Sequence, residues 1–228
     1  MDRLKVLKTL MRQKKLRNYF EIGVFNGHIF FRIKSTFKIA VDPDFVFDRL
    51  RQIGKILVNP YNLFNRFFHK TSDAFFAEDA AKIFAEKNVE ISLIDGMHEY
   101  VFALRDVENT LKYLSENGVI VMHDCNAETK EANCSFTEWK ARNFAGTWNG
   151  DVWRTILHLR CLRNDLNVFV LDCDHGLGII TKGRPENMLP YAQEQIQKFS
   201  YEDFDANRNE WLNLKSAEYF YDFFHLAR

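Results

Sequence analysis

Proline and glycine are scarce in this chain of 228 residues, which holds 4 Pro and 10 Gly. That scarcity excludes collagen-like and low-complexity architectures and points to short loops between bulky elements. The four cysteines, Cys125, Cys134, Cys161 and Cys173, form neither CxxC pairs nor a Cys/His zinc spacing. A disulfide framework is thereby excluded, and reduced thiols in a cytoplasmic protein are expected. Neither sign of charge is in excess, since 31 Lys and Arg balance 31 Asp and Glu. A dedicated nucleic-acid binder would show a basic surplus, so no nucleic-acid partner is expected. No apolar run approaches the roughly 20 residues that cross a bilayer, so no membrane partner is expected either. The basic start, MDRLKVLKTLMRQKK, has its apolar residues interrupted by Lys and lacks the apolar stretch of a signal peptide.

What is plentiful is core material: 46% of the residues are hydrophobic and 22 are Phe. That is enough for one large globular domain over 1–228. Its expected parts are an N-terminal helix (1–18), a core (19–182) and a helical C-terminal extension (183–228). Leu4, Leu7, Leu10 and Met11 recur at helical spacing among seven basic residues, as in an amphipathic covering helix.

After it the chain alternates. Short apolar runs at 19–24, 37–41, 66–72, 89–94 and 119–122 read as strands. Residues 73–87 and 99–116 read as helices, the second closed by Asn117-Gly118. Strands alternating with helices give a parallel sheet covered on both faces. A further helix is expected over 151–163, with Asp151 as its cap. The runs 166–171 and 178–181 flank a turn too short for anything but antiparallel pairing. The expected architecture is therefore α/β: a Rossmann-like, doubly wound, mainly parallel seven-stranded sheet ending in an antiparallel hairpin. In the tail, Ser200 and Asp203 resemble a capping box.

Each strand ends in glycine or in polar and acidic residues at its C-terminal edge, where open α/β sheets bind ligands. Glu21-Ile-Gly23-Val-Phe-Asn-Gly27 forms the first such turn, and Asp42 ends the next strand. The turn departs from G-x-G-x-x-G, with Phe25 and His28 where glycines would stand, which disfavours a pyrophosphate-bearing cofactor. A nucleoside without phosphate needs no such approach. Ser72-Asp73 follows the third strand. Asp95-Gly-Met-His98 and His123-Asp124-Cys-Asn126 follow the fourth and fifth. Carboxylates with an amide oxygen suit a hard cation, and histidine suits a general base.

Tyr19-Phe-Glu-Ile-Gly-Val-Phe-Asn-Gly27, Val41-Asp-Pro43, Ser72-Asp73, Leu93-Ile-Asp-Gly-Met-His-Glu-Tyr100 and Gly118-Val-Ile-Val-Met-His-Asp124 follow in order. Together they resemble the class I S-adenosylmethionine-dependent methyltransferases, specifically the methyltransferase domain 24 family. Trp148-Asn-Gly-Asp-Val-Trp-Arg154 and Asp174-His-Gly-Leu-Gly178 extend the likeness, which spans about residues 19–182. The resemblance implies that Glu21, Gly23 and Gly27 surround the methionine and ribose of S-adenosylmethionine and that Asp42 binds the ribose hydroxyls. It further implies that Ser72 and Asp73 meet the adenine. Asp95 matches a position shared by cofactor and cation sites. In metal-assisted relatives, acids at the places of Asp95 and Asp124 hold Mg²⁺, with Asn126 one step beyond the usual third ligand.

The implied reaction is transfer of a methyl group to a small-molecule or sugar acceptor, most simply to oxygen. Asp95, His98, His123 and Asp124 are the catalytic candidates. Acceptor-lining candidates are the 125–150 stretch, Trp148, Trp153 and the tail aromatics Tyr219, Phe220 and Phe223. Three alternatives stand beside this reading: a metal-independent N-methyltransferase, an NAD-type oxidoreductase and a non-catalytic nucleotide-binding module. The basic N-terminal helix leaves a homodimer open.

Overall fold

The structure, a computed structural model, describes residues 1–228. The chain divides into two compact units: one of Arg3–Gly96 with Arg105–Val119, the other of Met1–Asp2, Met97–Leu104 and Ile120–Arg228.

The first unit opens with α1 (Arg3–Gln13), whose Val6, Leu7 and Leu10 are buried, as the amphipathic spacing requires. Strand β1 (Asn18–Ile22) leads to a single 3₁₀ turn at Phe30–Arg32, shorter than an ordinary first helix of this architecture. Strand β2 (Phe37–Asp42) follows. Next comes α2 (Arg49–Val58), which no sequence signal announced, and then β3 (Asn65–His69). The helix expected over 73–87 is broken in two, α3 (Ser72–Glu78) and α4 (Ala80–Ile83), with the chain leaving helix at Asp79. Strand β4 (Val89–Ile94) is followed by α5 (Tyr100–Leu111), which enters this unit from Arg105 onward.

Strand β5 (Leu114–Met122) starts earlier than expected. Asn117-Gly118 lies inside it rather than closing α5, and a Cβ on Gly118 would stand 2.7 Å from Leu114. The missing side chain lets the strand fold tightly over that leucine.

Parallel registers join β1 to β2, β1 to β4 and β2 to β3. The abundant phenylalanine fills this unit. Phe20 contacts Phe75, Phe76 and Phe84, while Phe67 contacts Phe30, Phe31, Phe45 and Phe47. Rings at such distances and tilts add to the burial of their area.

The second unit contains α6 (Phe136–Ala141), α7 (Trp153–Leu162), β6 (Leu166–Leu171), β7 (Leu177–Lys182), α8 (Gln193–Ile196), α9 (Tyr201–Trp211), β8 (Leu214–Lys215) and α10 (Tyr219–Phe224). Strands β6 and β7 pair antiparallel from Leu166↔Lys182 to Leu171↔Leu177, the expected hairpin. The two-residue β8 pairs parallel with β6 and adds an eighth strand to the seven expected.

Helix α6 has a complete capping box on Ser135 and Glu138, and Ser200 with Asp203 forms the one expected on α9. Asp151 does not cap α7. Its Oδ1 accepts from Tyr100 N at 2.6 Å, and Oδ2 accepts from Arg154 Nε at 3.0 Å, so it caps the start of α5 instead. All four cysteines are free thiols. No helix is long and apolar enough to cross a membrane.

Candidate active site

In the first unit, the turn after β1 is built from three residues with left-handed backbone: Gly23 (φ 79°), Phe25 (φ 47°) and Gly27 (φ 73°). Only glycine fits at 23, where a Cβ would lie 2.0 Å from the Asp95 carbonyl oxygen. Asp42 fastens this turn: its Oδ2 accepts from Val24 N and Phe25 N, both at 2.7 Å. Its Oδ1 accepts from Asp44 N at 2.8 Å. The carboxylate expected for ribose thus shapes the loop itself, through three charge-assisted bonds.

Glu21 is buried beneath the turn and accepts from the Tyr19 hydroxyl. Burial pushes its carboxyl up to about 8; the Asp95 charge adds to this, while the Tyr19 bond and the Lys38 charge oppose it. Lys38 was not singled out from sequence, yet it is fully buried, and burial lowers its ammonium to about 7. Its Nζ donates to Phe30 O and Asn62 Oδ1 at 2.8 Å and to Ile33 O at 3.0 Å. A lysine within a strand reads as an outward residue, so only the fold reveals that it is a three-bond anchor.

Thr71, not Ser72, caps α3, accepting from Ala74 N at 3.3 Å. Ser72 bonds Asp106, a buried carboxyl that burial raises to about 7. Asp106 also escaped the sequence reading, because an Asp beside apolar helix positions reads as surface. Asp73 is held by Arg105 through Nε at 3.1 Å and Nη2 at 2.6 Å. Asp95 has Arg3 Nε at 3.5 Å.

The second unit gathers both candidate histidines around Asp124. Asp124 Oδ2 lies 3.2 Å from His98 Nε2 and 2.8 Å from His123 Nδ1, and Oδ1 accepts from Asn149 Nδ2 at 2.5 Å. Asp124 itself has φ 59°, a strained conformation of the kind that concentrates at functional positions. His98 Nδ1 lies 2.8 Å from the Trp148 carbonyl, which can only accept, so Nδ1 carries a proton. The His98 ring stacks on Trp148 at 4.7 Å. Gly150 (φ 58°) passes beneath His98 where a Cβ would lie 1.6 Å from its carbonyl oxygen. His123 is clamped on its other side, with Nε2 3.6 Å from Asp174 Oδ1.

Asn126 does not supply the expected third ligand. Its Oδ1 accepts from the Arg208 guanidinium and its Nδ2 donates to Asp172 at 3.4 Å. An oxygen facing a guanidinium is a poor cation ligand, and both Asp124 oxygens already serve protein donors. Asn126 is therefore not placed to ligate a hard cation.

Trp148 joins Phe136, Trp139 and Phe144 in an aromatic group beside His98. Trp153 does not line it: the ring is buried and stacks on Phe204 at 4.5 Å and Trp211 at 5.8 Å. Phe220 is buried, and Tyr219 and Phe223 pack on Phe169, so the tail aromatics are core. Asn149 and Gly150 sit in a stretch whose family likeness was visible, but their contacts reach back to Asp124 and His98, beyond any local signal.

Residues 20–125 match the family model described as a methyltransferase domain, of family 24. No curated protein sequence matches the chain. Among solved structures, it is similar to a protein from Staphylococcus aureus assigned as a caffeoyl-CoA O-methyltransferase. Identity is 15% and the TM-score 0.56, over 80% of this chain and 85% of that one. It is also similar to the Podospora anserina methyltransferase PaMTH1, solved with S-adenosylhomocysteine. There identity is 15% and the TM-score 0.51, over 78% of this chain and 76% of that one.

Proposed function

We propose that this chain, whose residues 20–125 match a methyltransferase-domain family model, is a class I S-adenosylmethionine-dependent methyltransferase that methylates a hydroxyl on a small-molecule or sugar acceptor, with His98 as general base. The observation that carries the reading is the placement of His98 between the Trp148 carbonyl and the Asp124 carboxylate.

S-adenosylmethionine supplies an electrophilic methyl group on its sulfonium. The left-handed turn from Gly23 to Gly27 fits a ligand that the backbone must approach closely, and Glu21, Gly23, Gly27 and Asp42 would hold it. Asp42 does so by fixing the turn, and Ser72 and Asp73 bound the adenine end. Asp106 steadies Ser72 from behind.

His98 Nε2, which faces Asp124 Oδ2 at 3.2 Å, is the nitrogen that would take up the acceptor's proton as that oxygen becomes the nucleophile. The resulting imidazolium would have both N–H groups satisfied, one by Trp148 O and one by Asp124 Oδ2. Asp124 is thus the group that stabilises the protonated base, and Asn149 and His123 hold Asp124 in place. The stacked Trp148 and Trp139 offer flat faces against which a sugar or aromatic ring can lie. Because such a reaction depends mainly on alignment, most of the protein's work is positioning.

Two measurements test the reading. Calorimetric titration with S-adenosylhomocysteine should show binding that is weakened at least about tenfold by Asp42→Ala, the loss expected for three charge-assisted bonds. Turnover of S-adenosylmethionine against matched hydroxyl and amine acceptors should favour the hydroxyl. Preference for the amine would overturn O-methylation while leaving the cofactor site intact.

A further inference from the structure

The strongest unexplained surface lies on α2 and the turn that follows it. No residue of α2 is buried. Leu50, Leu57 and Val58 are 78%, 80% and 84% exposed, Ile53 is 56% exposed, and Leu63 and Phe64 continue the patch at 68% and 48%. Leu50, Ile53 and Leu57 stand at i, i+3 and i+7, so they share one face of the helix. Gln52, Lys55 and Ile56, all partly buried, lie on the side away from it. The apolar stripe that a globular helix turns inward is here turned outward.

The exposure is not the result of a loosely attached segment. Buried Asn59 donates from Nδ2 to Phe31 O at 3.0 Å and Ile33 O at 3.1 Å. Buried Asn62 donates to Phe31 O at 3.1 Å and to Lys55 O at 2.9 Å, and its Oδ1 receives the Lys38 ammonium. Three buried polar side chains thus clamp the C-terminal end of a helix whose outer face touches nothing.

Charge identifies the occupant. Between Asp48 and Asp73 there is no carboxylate side chain, while Arg49, Arg51, Lys55, Arg66 and Lys70 are all cationic, in a chain with net charge zero. Lys70 is paired with Glu78 and Asp79, but Arg49, Arg51 and Lys55 have no ion pair, and the exposed Arg49 and Arg51 lie to either side of the apolar stripe. Two copies of this chain meeting through α2 would set like charges against each other. An anionic lipid surface answers both features, offering phosphates to the flanking cations and an acyl boundary to the leucines.

We propose that α2 and the turn through Phe64 dock this protein on anionic membrane surfaces. Leu50, Ile53 and Leu57 enter the headgroup–acyl boundary, and Arg49 and Arg51 meet lipid phosphates. The absence of a membrane-spanning helix is compatible with this, because the helix lies on the surface rather than crossing it. By contrast α1, the basic helix most visible in the sequence, has its apolar face buried and is not available for the same role.

The test is co-sedimentation of the full chain with phosphatidylglycerol–phosphatidylcholine vesicles and with pure phosphatidylcholine vesicles. Binding is expected on the anionic vesicles, weaker by about tenfold or more on the neutral ones and at high salt. Leu50→Asp/Leu57→Asp and, separately, Arg49→Glu/Arg51→Glu should each lower binding by at least about tenfold. Both should leave S-adenosylhomocysteine affinity unchanged; Leu50→Ser/Leu57→Ser replaces the first variant if added charge perturbs folding. A wild-type chain that stays in the supernatant with anionic vesicles overturns the proposal, as does equal binding by all variants. A dimer in solution that Leu50→Asp splits, without vesicle binding, would make the patch an interface between copies instead.

Discussion

His98 Nε2 faces Asp124 Oδ2 across 3.2 Å, with the opposite nitrogen of the same ring bound to the Trp148 carbonyl. The imidazole is therefore fixed in plane and in tautomer before any acceptor arrives. Replacing His98 by Ala should lower turnover by about 10²–10⁴, the usual contribution of a positioned base. Asp124→Asn should lower it by a similar order while retaining S-adenosylhomocysteine binding. Steady-state kinetics paired with calorimetry separate the two effects, and an Ala variant with full turnover would remove His98 from the mechanism.

Chelation should leave the reaction unchanged. The Asn126 oxygen is committed to Arg208, and Asp124 already accepts from Asn149 and His123. Turnover measured before and after EDTA, followed by dialysis, checks this. Activity lost to EDTA and restored by a softer divalent ion would instead place a cation on His98 and Asp124.

Gly23→Ala should be far more damaging than an ordinary glycine substitution. The backbone there is left-handed, and the added Cβ would meet the Asp95 carbonyl oxygen at 2.0 Å. Strain and steric displacement together should cost about 2–4 kcal/mol of stability. Thermal unfolding reads it directly, and an unchanged midpoint would show that the turn is not packed as described.

Stability should also carry a signature of Glu21. Burial raises its carboxyl from an ordinary 4.5 to about 8, so between those values the folded protein keeps a proton that the unfolded chain has lost. This contribution is fully present at low pH and is lost as pH rises through about 8, a decline of a few kcal/mol. Lys38, lowered to about 7, acts in the opposite direction above that value. Denaturant unfolding across pH 5–8, a window taken from these shifts, should show a falling slope that Glu21→Gln removes. Equal slopes in both proteins would mean that Glu21 is ionised when folded.

The strand rhythm and the β6–β7 hairpin were legible because apolar runs end in Gly, Asp and His at the edge where the chain turns. The histidines and Asp124 were legible for the same reason: they sit at strand ends. Helix α2 was not, since an outward apolar stripe and an inward one have the same spacing, and only tertiary context distinguishes them. The break at Asp79 escaped because every residue from Ser72 to Ile83 tolerates a helix. Lys38 and Asp106 were invisible for a different cause. Their burial is compensated by partners brought in from elsewhere in the chain, and charge alone predicts exposure. Asp151 was recognised as a cap but given the wrong helix, because the donors a carboxylate meets are chosen by the fold.

Gly150 has a bearing on how this protein can be altered. Because the chain crosses under His98 at a point with no room for a side chain, His98 and the segment that ends at Gly150 are pinned together there. That segment closes on itself through Asn149 N and Gly150 N, which both donate to Ala132 O at 2.9 Å. It is in effect a cassette with a fixed seam. Residues such as Phe136, Trp139 and Phe144 can be exchanged to recut the wall that an acceptor meets. The seam at 149–150 keeps the His98 ring where it was, so under the proposed mechanism acceptor preference and base placement would be separable by design.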